Sequence, residues 1–344
     1  MLDERAAGIA APRPPRLASW LGVVARYRAV GLVLALVLLG FGVSIETTRF
    51  LALGNLENIL RSVSILAIVA VGQTLVVLTR NIDLSVGSSI GLVAFISADT
   101  LKHHPGIGVG AVVVLGLAIG AGLGIINGLL VVVGEVPAIV ATLGTLYVYR
   151  GVDFLLASGK EVDASDVPQR FLNLTTTHFL GLPIPVLFAL AITTIAFYLL
   201  RSTVPGRELY AIGSNPDAAG LVGIRTGRLV FAAFLICGLL CGLAGVLWSS
   251  LYGTVGASAA TGFELQVVAA VVVGGVNIFG GSGSVIGVLL AAIFFGTIDN
   301  ALAILNISAF WLQAITGAAI LAAVALDAFV ALRIRIALRT GRRR

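Results

Sequence analysis

The sequence predicts an all-α, polytopic membrane protein with about ten transmembrane helices, some broken or re-entrant, and a two-fold internal repeat. Its composition is the first reason: 58% of the 344 residues are hydrophobic and only 11% are charged. Soluble proteins carry roughly 25% charged residues. At roughly 20 residues per crossing, the apolar content suffices for about ten spans. A soluble domain is therefore excluded, because too few polar residues are available to cover it.

Ten apolar segments are the second reason. They follow a tail, residues 1–28, that is rich in Pro, Ala and Arg and lacks a cleavable signal pattern. The predicted spans are 29–43, 62–78, 86–98, 107–133, 137–157, 183–200, 229–251, 263–276, 285–305 and 309–332. Six spans form a first membrane half (29–200) and four form a second half (229–332), separated by a loop (201–228) and followed by a basic tail (333–344).

The basic residues predict the orientation. Fifteen of the 22 Lys and Arg residues lie in the head, in the loop 201–228 and in the tail. Basic residues beside membrane spans stay in the cytoplasm. Six spans before the loop and four after it place all three regions there, and leave the polar segment 158–182 outside as a small cap. The net charge of +6 thus reflects the membrane orientation and not nucleic-acid binding.

Cysteine and histidine predict no cofactor and no metal site. Cys237 and Cys241 lie four residues apart in an apolar run, a spacing that favours small buried packing residues. The three histidines, His103, His104 and His178, have no further ligands at the close spacing that a metal needs.

An internal repeat is the third reason for the fold class. Residues 76–91 (VVLTRNIDLSVGSSIG) match residues 272–287 (VVGGVNIFGGSGSVIG) at eight of sixteen positions. Each copy is an apolar run, a polar glycine-containing break and a second apolar run. Paired breaks of this kind are typical of transport pathways, because loosened backbone must face protein or water. The alternative is a tight turn between two crossings, with Asp83 or Ser85 capping the next helix.

Polar residues within or beside the spans are candidates for the pathway. An unpaired polar group there costs roughly 2.5–3.5 kcal/mol, so such residues usually face the bundle interior. The predicted pathway or gate residues are Asn81, Asp83, Ser85, Asn127, Asn277 and Asn300. For each one, the alternative is a structural hydrogen bond between helices. Arg80 and Asp83 are expected to neutralise each other if the backbone is helical, and Thr261 and Glu264 fit a helix capping box.

The loop 201–228 predicts its own short helix, residues 216–222. Asn215 suits the N-cap, Pro216 the first helical position, Asp217 the positive end of the helix and Gly223 the C-terminal stop. An isolated helix of this length is marginal in water, so it needs a partner surface. That surface is either the protein's own spans or a groove of a soluble subunit.

Four segments resemble the ribose-type permeases of bacterial ABC importers, a family that includes rhamnose and autoinducer-2 permeases. Residues 206–224 (GRELYAIGSNPDAAGLVGI) resemble its ATPase-contacting loop, and residues 81–88 (NIDLSVGS) its (G/N)IDLSVGS signature. Residues 136–151 resemble its TLGT…RG stretch and residues 273–287 its late glycine-rich segment. Arg80 and Asn81 stand where many sugar permeases have glycine, a variant that favours rhamnose or autoinducer-2 over ribose.

The resemblance implies two permease copies in a bacterial inner membrane, two ATP-binding subunits beneath them and a periplasmic substrate-binding protein that delivers a small sugar. It implies that the coupling helix consists of Asn215, Pro216, Asp217, Ala218, Ala219, Gly223 and Ile224. An ion-coupled secondary transporter is the alternative, and it would need a titratable cluster in the membrane, for which only Asp83 and Asp299 are available. An intramembrane enzyme lacks a nucleophile or metal constellation.

Overall fold

The computed structural model describes residues 17–341 of the chain, and side-chain surroundings for residues 29–325. Within these limits the regular secondary structure is helical apart from one short hairpin, and it includes two 3₁₀ helices, Thr48–Leu51 and Ala164–Asp166. The helices are α1 (Leu17–Glu46), α2 (Leu53–Leu78), α3 (Val86–His103), α4 (Val109–Val132), α5 (Ala138–Ala157), α6 (Gln169–Leu172), α7 (Ile184–Ser202), α8 (Val204–Ser214), α9 (Pro216–Leu221), α10 (Thr226–Tyr252), α11 (Phe263–Val273), α12 (Val285–Ile304) and α13 (Phe310–Gly341). Strands β1 (His178–Phe179) and β2 (Leu182–Pro183) pair antiparallel.

The predicted all-α polytopic class is confirmed. Each of the ten apolar segments lies mainly in a separate helix, and seven helices of the described chain are long and apolar enough to cross a membrane: α1, α2, α4, α5, α7, α10 and α12. Helix α11 has only 11 residues, or about 16 Å, roughly half of a bilayer core. The N-terminal helix begins at Leu17, so residues 17–28 of the predicted tail are helical. Residues 1–16 and 342–344 of the two predicted tails lie outside the described chain.

The helix bundle has two ends, the cap end and the loop end. The cap end carries residues 158–183, where Lys102 Nζ donates to Asp166 Oδ2 at 2.7 Å and His178 Nε2 lies 3.5 Å from Glu57 Oε1. The hydrogen bond from Lys102 lowers the pKa of the Asp166 carboxyl from its ordinary value. The loop end carries residues 203–225. Because Glu57 lies near the start of α2 and Lys102 near the end of α3, α2 runs from cap to loop and α3 returns.

Helix α2 is the centre of the molecule. All residues from 63 to 79 are buried, and the helix packs against α7, α10, α11 and α12. A helix that is apolar on every side is typical of a protein core or a membrane span, and here neighbouring helices cover it. Cys237 and Cys241 of α10 pack in this core, as small buried residues, with 0% and 1% of their surface exposed.

Helices α4 and α10 form the closest pair, along a seam of glycines. A Cβ at Gly120 would lie 2.3 Å from Gly238 O, and a Cβ at Gly116 would lie 3.1 Å from Gly242 O. Glycines at four-residue intervals let two membrane helices touch through their backbones. The seam fixes α4, and with it Asn127, against the core.

Candidate functional site

The two breaks of the sequence repeat meet at the loop end, next to α8. Gly281 N donates to Leu78 O at 3.1 Å, which joins the second break to the first. A Cβ on Gly213 would lie 1.9 Å from Leu78 O and 2.2 Å from Gly281 N, so only glycine fits at this position of α8. We call the contact among residues 78–80, 213–214 and 280–281 the break junction.

Arg80 closes the break junction from the first copy. Its Nε donates to Gly213 O at 2.6 Å and its Nη2 to Ser214 O at 2.9 Å. These carbonyls end α8, where a cation is electrostatically favourable. The pairing of Arg80 with Asp83, which was expected only for a helical backbone, does not form. Arg80 has a left-handed φ of 66°, so the backbone is not helical and its side chain reaches α8 instead.

Asn81 and Asn277, the matching asparagines of the two copies, each shape their own break. Asn81 Nδ2 donates to Thr79 O at 3.0 Å, whereas Asn277 Oδ1 accepts from Phe279 N at 2.9 Å. Both side chains are half-buried. The tight-turn alternative therefore accounts for the hydrogen bonds of both residues.

Asp83, Ser85 and Asn127 form one buried network, with at most 2% of any of them exposed. Asp83 Oδ1 accepts from Ser85 N at 2.9 Å and from Ser85 Oγ at 2.7 Å. Asn127 Nδ2 donates to Ser85 Oγ at 2.8 Å and to Asp83 Oδ2 at 3.2 Å. The network joins the first break to α4.

Helix α5 completes this network with residues that the sequence analysis missed. Thr145 Oγ1 donates to Asn127 Oδ1 at 2.7 Å, and Tyr149 OH donates to Leu123 O at 3.0 Å. Thr142 Oγ1 also lies 3.1 Å from Ile82 O in the break. The spacing of Thr142, Thr145 and Tyr149 at i, i+3 and i+7 was the available signal, since it places three hydroxyls on one face of a helix.

Asn300 lies apart from the other predicted pathway residues. It forms a reciprocal amide pair with Asn55, in which both N–O distances are 2.9 Å. Asn55 is near the start of α2, so the pair is at the cap end, whereas Asn127 is near the loop end. The sequence match between Asn127 and Asn300 is therefore not a structural equivalence. The six predicted residues occupy three places and not one continuous cluster.

The predicted coupling segment forms the helix expected, one residue shorter. Asn215 Oδ1 accepts from Ala218 N at 3.1 Å, and Pro216 begins α9. Gly223 N and Ile224 N donate to Gly220 O and Ala219 O at 3.0 and 3.1 Å, which is a Schellman stop with Gly223 at a φ of 83°. Asp217 lies in the first turn, as predicted.

One face of α9 is open. Ala219 is 3% exposed, but Leu221 and Val222 are 90% and 76% exposed. Two partner surfaces were considered for this helix: the protein's own spans and a soluble subunit. Ala219 faces the protein's own helices, whereas Leu221 and Val222 have little cover among the described residues.

Helix α8 was missed by the sequence analysis. Its signals were Thr203, whose Oγ1 caps Gly206 N at 3.2 Å, and a proline in the first turn.

The predicted capping box at α11 is wrong: the N-cap is Gly262, and Thr261 Oγ1 donates to Ser258 O at 2.8 Å. Glu264 instead lies beside Gly87 of α3.

Long buried and half-buried apolar helices, paired breaks at one end and an open capped helix beside them define a polytopic α-helical membrane transport protein. The chain belongs to the branched-chain amino acid transport system / permease component family, whose model matches residues 55–324.

The relatives are import permeases. The chain is 36% identical over 299 residues to the ribose import permease protein RbsC of Haemophilus influenzae, covering 86% of this chain and 92% of the relative. It is 37% identical over 312 residues to the autoinducer 2 import system permease protein LsrC of Salmonella typhi, covering 91% and 88%. RbsC of Escherichia coli K12 is 36% identical with 86% and 92% covered. No solved structure matches the chain.

Proposed function

We propose that the chain is the membrane-spanning permease subunit of a bacterial ABC importer that takes up a monosaccharide, such as ribose or rhamnose, or the sugar-like autoinducer-2. Family membership and the two kinds of import permease among its relatives support this. Separate ATP-binding subunits hydrolyse ATP, and the chain itself is not an enzyme. Its sequence contains no G-x-x-x-x-G-K-[ST] phosphate loop, which agrees with this division of labour.

The open face of α9 is the observation that carries the proposal. A six-residue helix is marginal alone, yet this one is capped at both ends and presents Leu221 and Val222 outward. A soluble ATP-binding subunit that receives these side chains in a groove buries two large apolar groups. The predicted coupling residues, 215–219 with Gly223 and Ile224, then form the rigid frame that holds them.

Coupling runs from α9 through α8 to the breaks. An ATP-driven movement of the ATP-binding subunits displaces α9 and α8 as a unit. Because Gly213 contacts Leu78 and Gly281, and Arg80 binds the end of α8, this displacement acts on both breaks at once. The breaks precede α3 and α12, so a small shift there changes the tilt of both helices and exposes the pathway alternately.

The loop end faces the cytoplasm in this proposal, together with both termini. Arg207 lies in α8, and Arg201, Arg225 and Arg228 flank α8 and α9, in keeping with the retention of basic residues inside. The cap end then faces the periplasm of a bacterial inner membrane, where a substrate-binding protein docks. A second permease copy completes the pore, and the largely exposed apolar side chains of α5, such as Tyr147 and Leu155, supply a face for it.

The ion-coupled alternative is less well supported. It needs a cluster of ionisable groups, but Asp83 is at the loop end, already bonded to Ser85 and Asn127, and Asp299 is beside Asn300 toward the cap end. Two separated carboxylates do not make one ion site.

Co-purification tests the proposal. The variant Leu221→Asp, expressed with its cognate ATP-binding subunit, is expected to lower recovery of that subunit about tenfold or more, since a buried interface anchor is replaced by a charge. Leu180→Asp is the matched control: Leu180 is 82% exposed, but at the cap end, and recovery should be unchanged. Ala219 is a poor probe, because it is buried within the chain's own fold. Equal recovery with both variants would contradict the docking role of α9.

A further inference from the structure

A cavity of about 520 Å³ lies between α10, α11, α12 and α13, toward the cap end. Its polar lining includes Asp299, Gln266, Gln313 and Thr316, and its aromatic lining is Trp248 and Phe263. Ligand sites have volumes of about 300–1,000 Å³ and combine apolar walls with a few convergent polar groups. The cavity has both properties. No residue of α8, α9 or the two breaks lines it.

One wall of the cavity is unwound backbone. Residues 253–262, between α10 and α11, form no helix, and residues 257–262 are a run of turns. The chain then continues as the half-length helix α11. Ser258, Ala260 and Gly262 of this segment line the cavity. In transporters, non-helical segments beside half-helices border the substrate site. The turns of this wall are closed by backbone hydrogen bonds, such as that from Thr261 N to Ser258 O at 3.2 Å.

The unwound wall is held firmly from behind. Arg150 Nη1 donates to Ala257 O at 2.8 Å and to Ala259 O at 2.7 Å. A Cβ on Gly91 would lie 2.6 Å from Ala259 O, so glycine is required in α3 for the segment to pass. The cavity is therefore preorganised, which lowers the entropy cost of binding.

Three polar side chains of the lining have no hydrogen-bond or ion-pair partner among the described residues: Asp299, Gln266 and Gln313. Asp299 and Gln266 are half-buried, and Gln313 is exposed. A carboxylate and two amides together offer both acceptors and donors, which matches hydroxyl groups, since each hydroxyl donates one hydrogen bond and accepts others. Trp248, packed 5.2 Å from Phe263 between ring centroids, supplies a flat apolar wall for the C–H face of a sugar ring.

We propose that this cavity binds one neutral, polyhydroxylated solute of monosaccharide size during transport, with Asp299 accepting hydrogen bonds from its hydroxyls. The inference rests on the proposed import function and locates a solute site within the permease chain itself. Arg150 acts as a positioning residue, because it touches the wall and not the solute.

Cysteine protection tests the site without any partner subunit. Cys237 and Cys241 are replaced by alanine, Gln313→Cys is introduced, and the full chain in nanodiscs is treated with a small polar methanethiosulfonate. D-ribose and L-rhamnose are used separately as probes. We expect at least one of these sugars to slow the modification of Gln313→Cys. Thr176→Cys, exposed at the cap end outside the cavity, is the control and should react at an unchanged rate.

A second variant tests the role of the carboxylate. Asp299→Asn, in the Gln313→Cys background, should raise the sugar concentration for half-protection about tenfold, because a charged acceptor is lost. Asp99→Asn, an exposed carboxylate outside the cavity, should leave it unchanged. An unchanged value with Asp299→Asn would overturn the assignment of Asp299.

Three outcomes would overturn the site: an unreactive Gln313→Cys, a modification rate of Gln313→Cys that neither sugar lowers, or equal slowing at Thr176→Cys. They leave the import function intact if Leu221→Asp still lowers recovery of the ATP-binding subunit. Conversely, sugar protection with unaffected recovery would retain the site and reject the proposed energy coupling.

Discussion

Arg80 binds the last turn of α8 through the carbonyl of Gly213, at 2.6 Å from its Nε. Three features meet at this bond: a left-handed residue in the first break, the end of the helix that precedes α9, and Gly281 of the second break, which contacts the same turn. The bond is charge-assisted and therefore stronger than a neutral hydrogen bond. It is one of two side-chain links between α8 and the breaks, because Tyr210 OH also donates to Gly283 O at 3.3 Å.

Replacing Arg80 with glycine should uncouple these parts without unfolding the protein. Glycine adopts a φ of 66° without strain, so the backbone of the break is expected to persist, while two hydrogen bonds worth up to about 3 kcal/mol each are lost. We expect faster hydrogen–deuterium exchange in residues 206–214, lower sugar uptake and normal recovery of the ATP-binding subunit.

Arg80→Lys is the graded control for this experiment. A lysine keeps the charge but cannot bind Gly213 O and Ser214 O with a planar fork, so intermediate exchange and uptake are expected. Unchanged exchange of α8 in Arg80→Gly would refute the link.

The buried network predicts a large difference between two asparagines. Asn127→Ala removes the amide donor from Asp83 and the acceptor of Thr145, and leaves a fully buried carboxylate with Ser85 alone. We expect a loss of about 3 kcal/mol in the free energy of unfolding, because buried polar groups lose their hydrogen-bond partner. Asn300→Ala breaks only a neutral, part-buried amide pair with Asn55, with an expected loss of about 0.6–1.7 kcal/mol.

Denaturant unfolding of both variants in the same detergent measures this difference. Cys237→Ala, at a buried position with a small volume change, serves as a reference for general sensitivity of the core. Equal losses for Asn127→Ala and Asn300→Ala would mean that Asp83 does not depend on the amide of Asn127.

The helices and the coupling helix were predictable from the sequence because local chemistry determines them. Apolar length predicts the spans, and Asn215, Pro216 and Gly223 each satisfy a backbone requirement within a few residues. The sites were harder to predict, because their partners are remote: Asn300 pairs with Asn55, 245 residues away, and Arg80 binds Gly213 instead of the nearby Asp83.

Helix α8 and the unwound wall illustrate the same limit. Gly213 weakens the helical signal of α8, but its reason is a contact with Leu78 O that no local pattern contains. At the end of segment 253–262, Thr261 and Glu264 matched a capping box. That motif failed because Gly262, with a φ of 85°, begins the helix instead.

The glycine seam gives the sharpest test of the packing, because two glycines of α4 two residues apart have opposite surroundings. A Cβ at Gly120 would lie 2.3 Å from Gly238 O and 2.6 Å from Gly242 Cα. Both are backbone atoms, which cannot turn away, so Gly120→Ala must separate α4 from α10. We expect a loss of about 1–3 kcal/mol, as for other overpacked cores, and a lower melting temperature in detergent. A Cβ at Gly122 meets nothing within 4 Å, so Gly122→Ala should be neutral or stabilise the helix by up to about 1 kcal/mol. A melting temperature equal to that of the unchanged protein in Gly120→Ala, or a marked drop in Gly122→Ala, would show that α4 does not meet α10 through this seam.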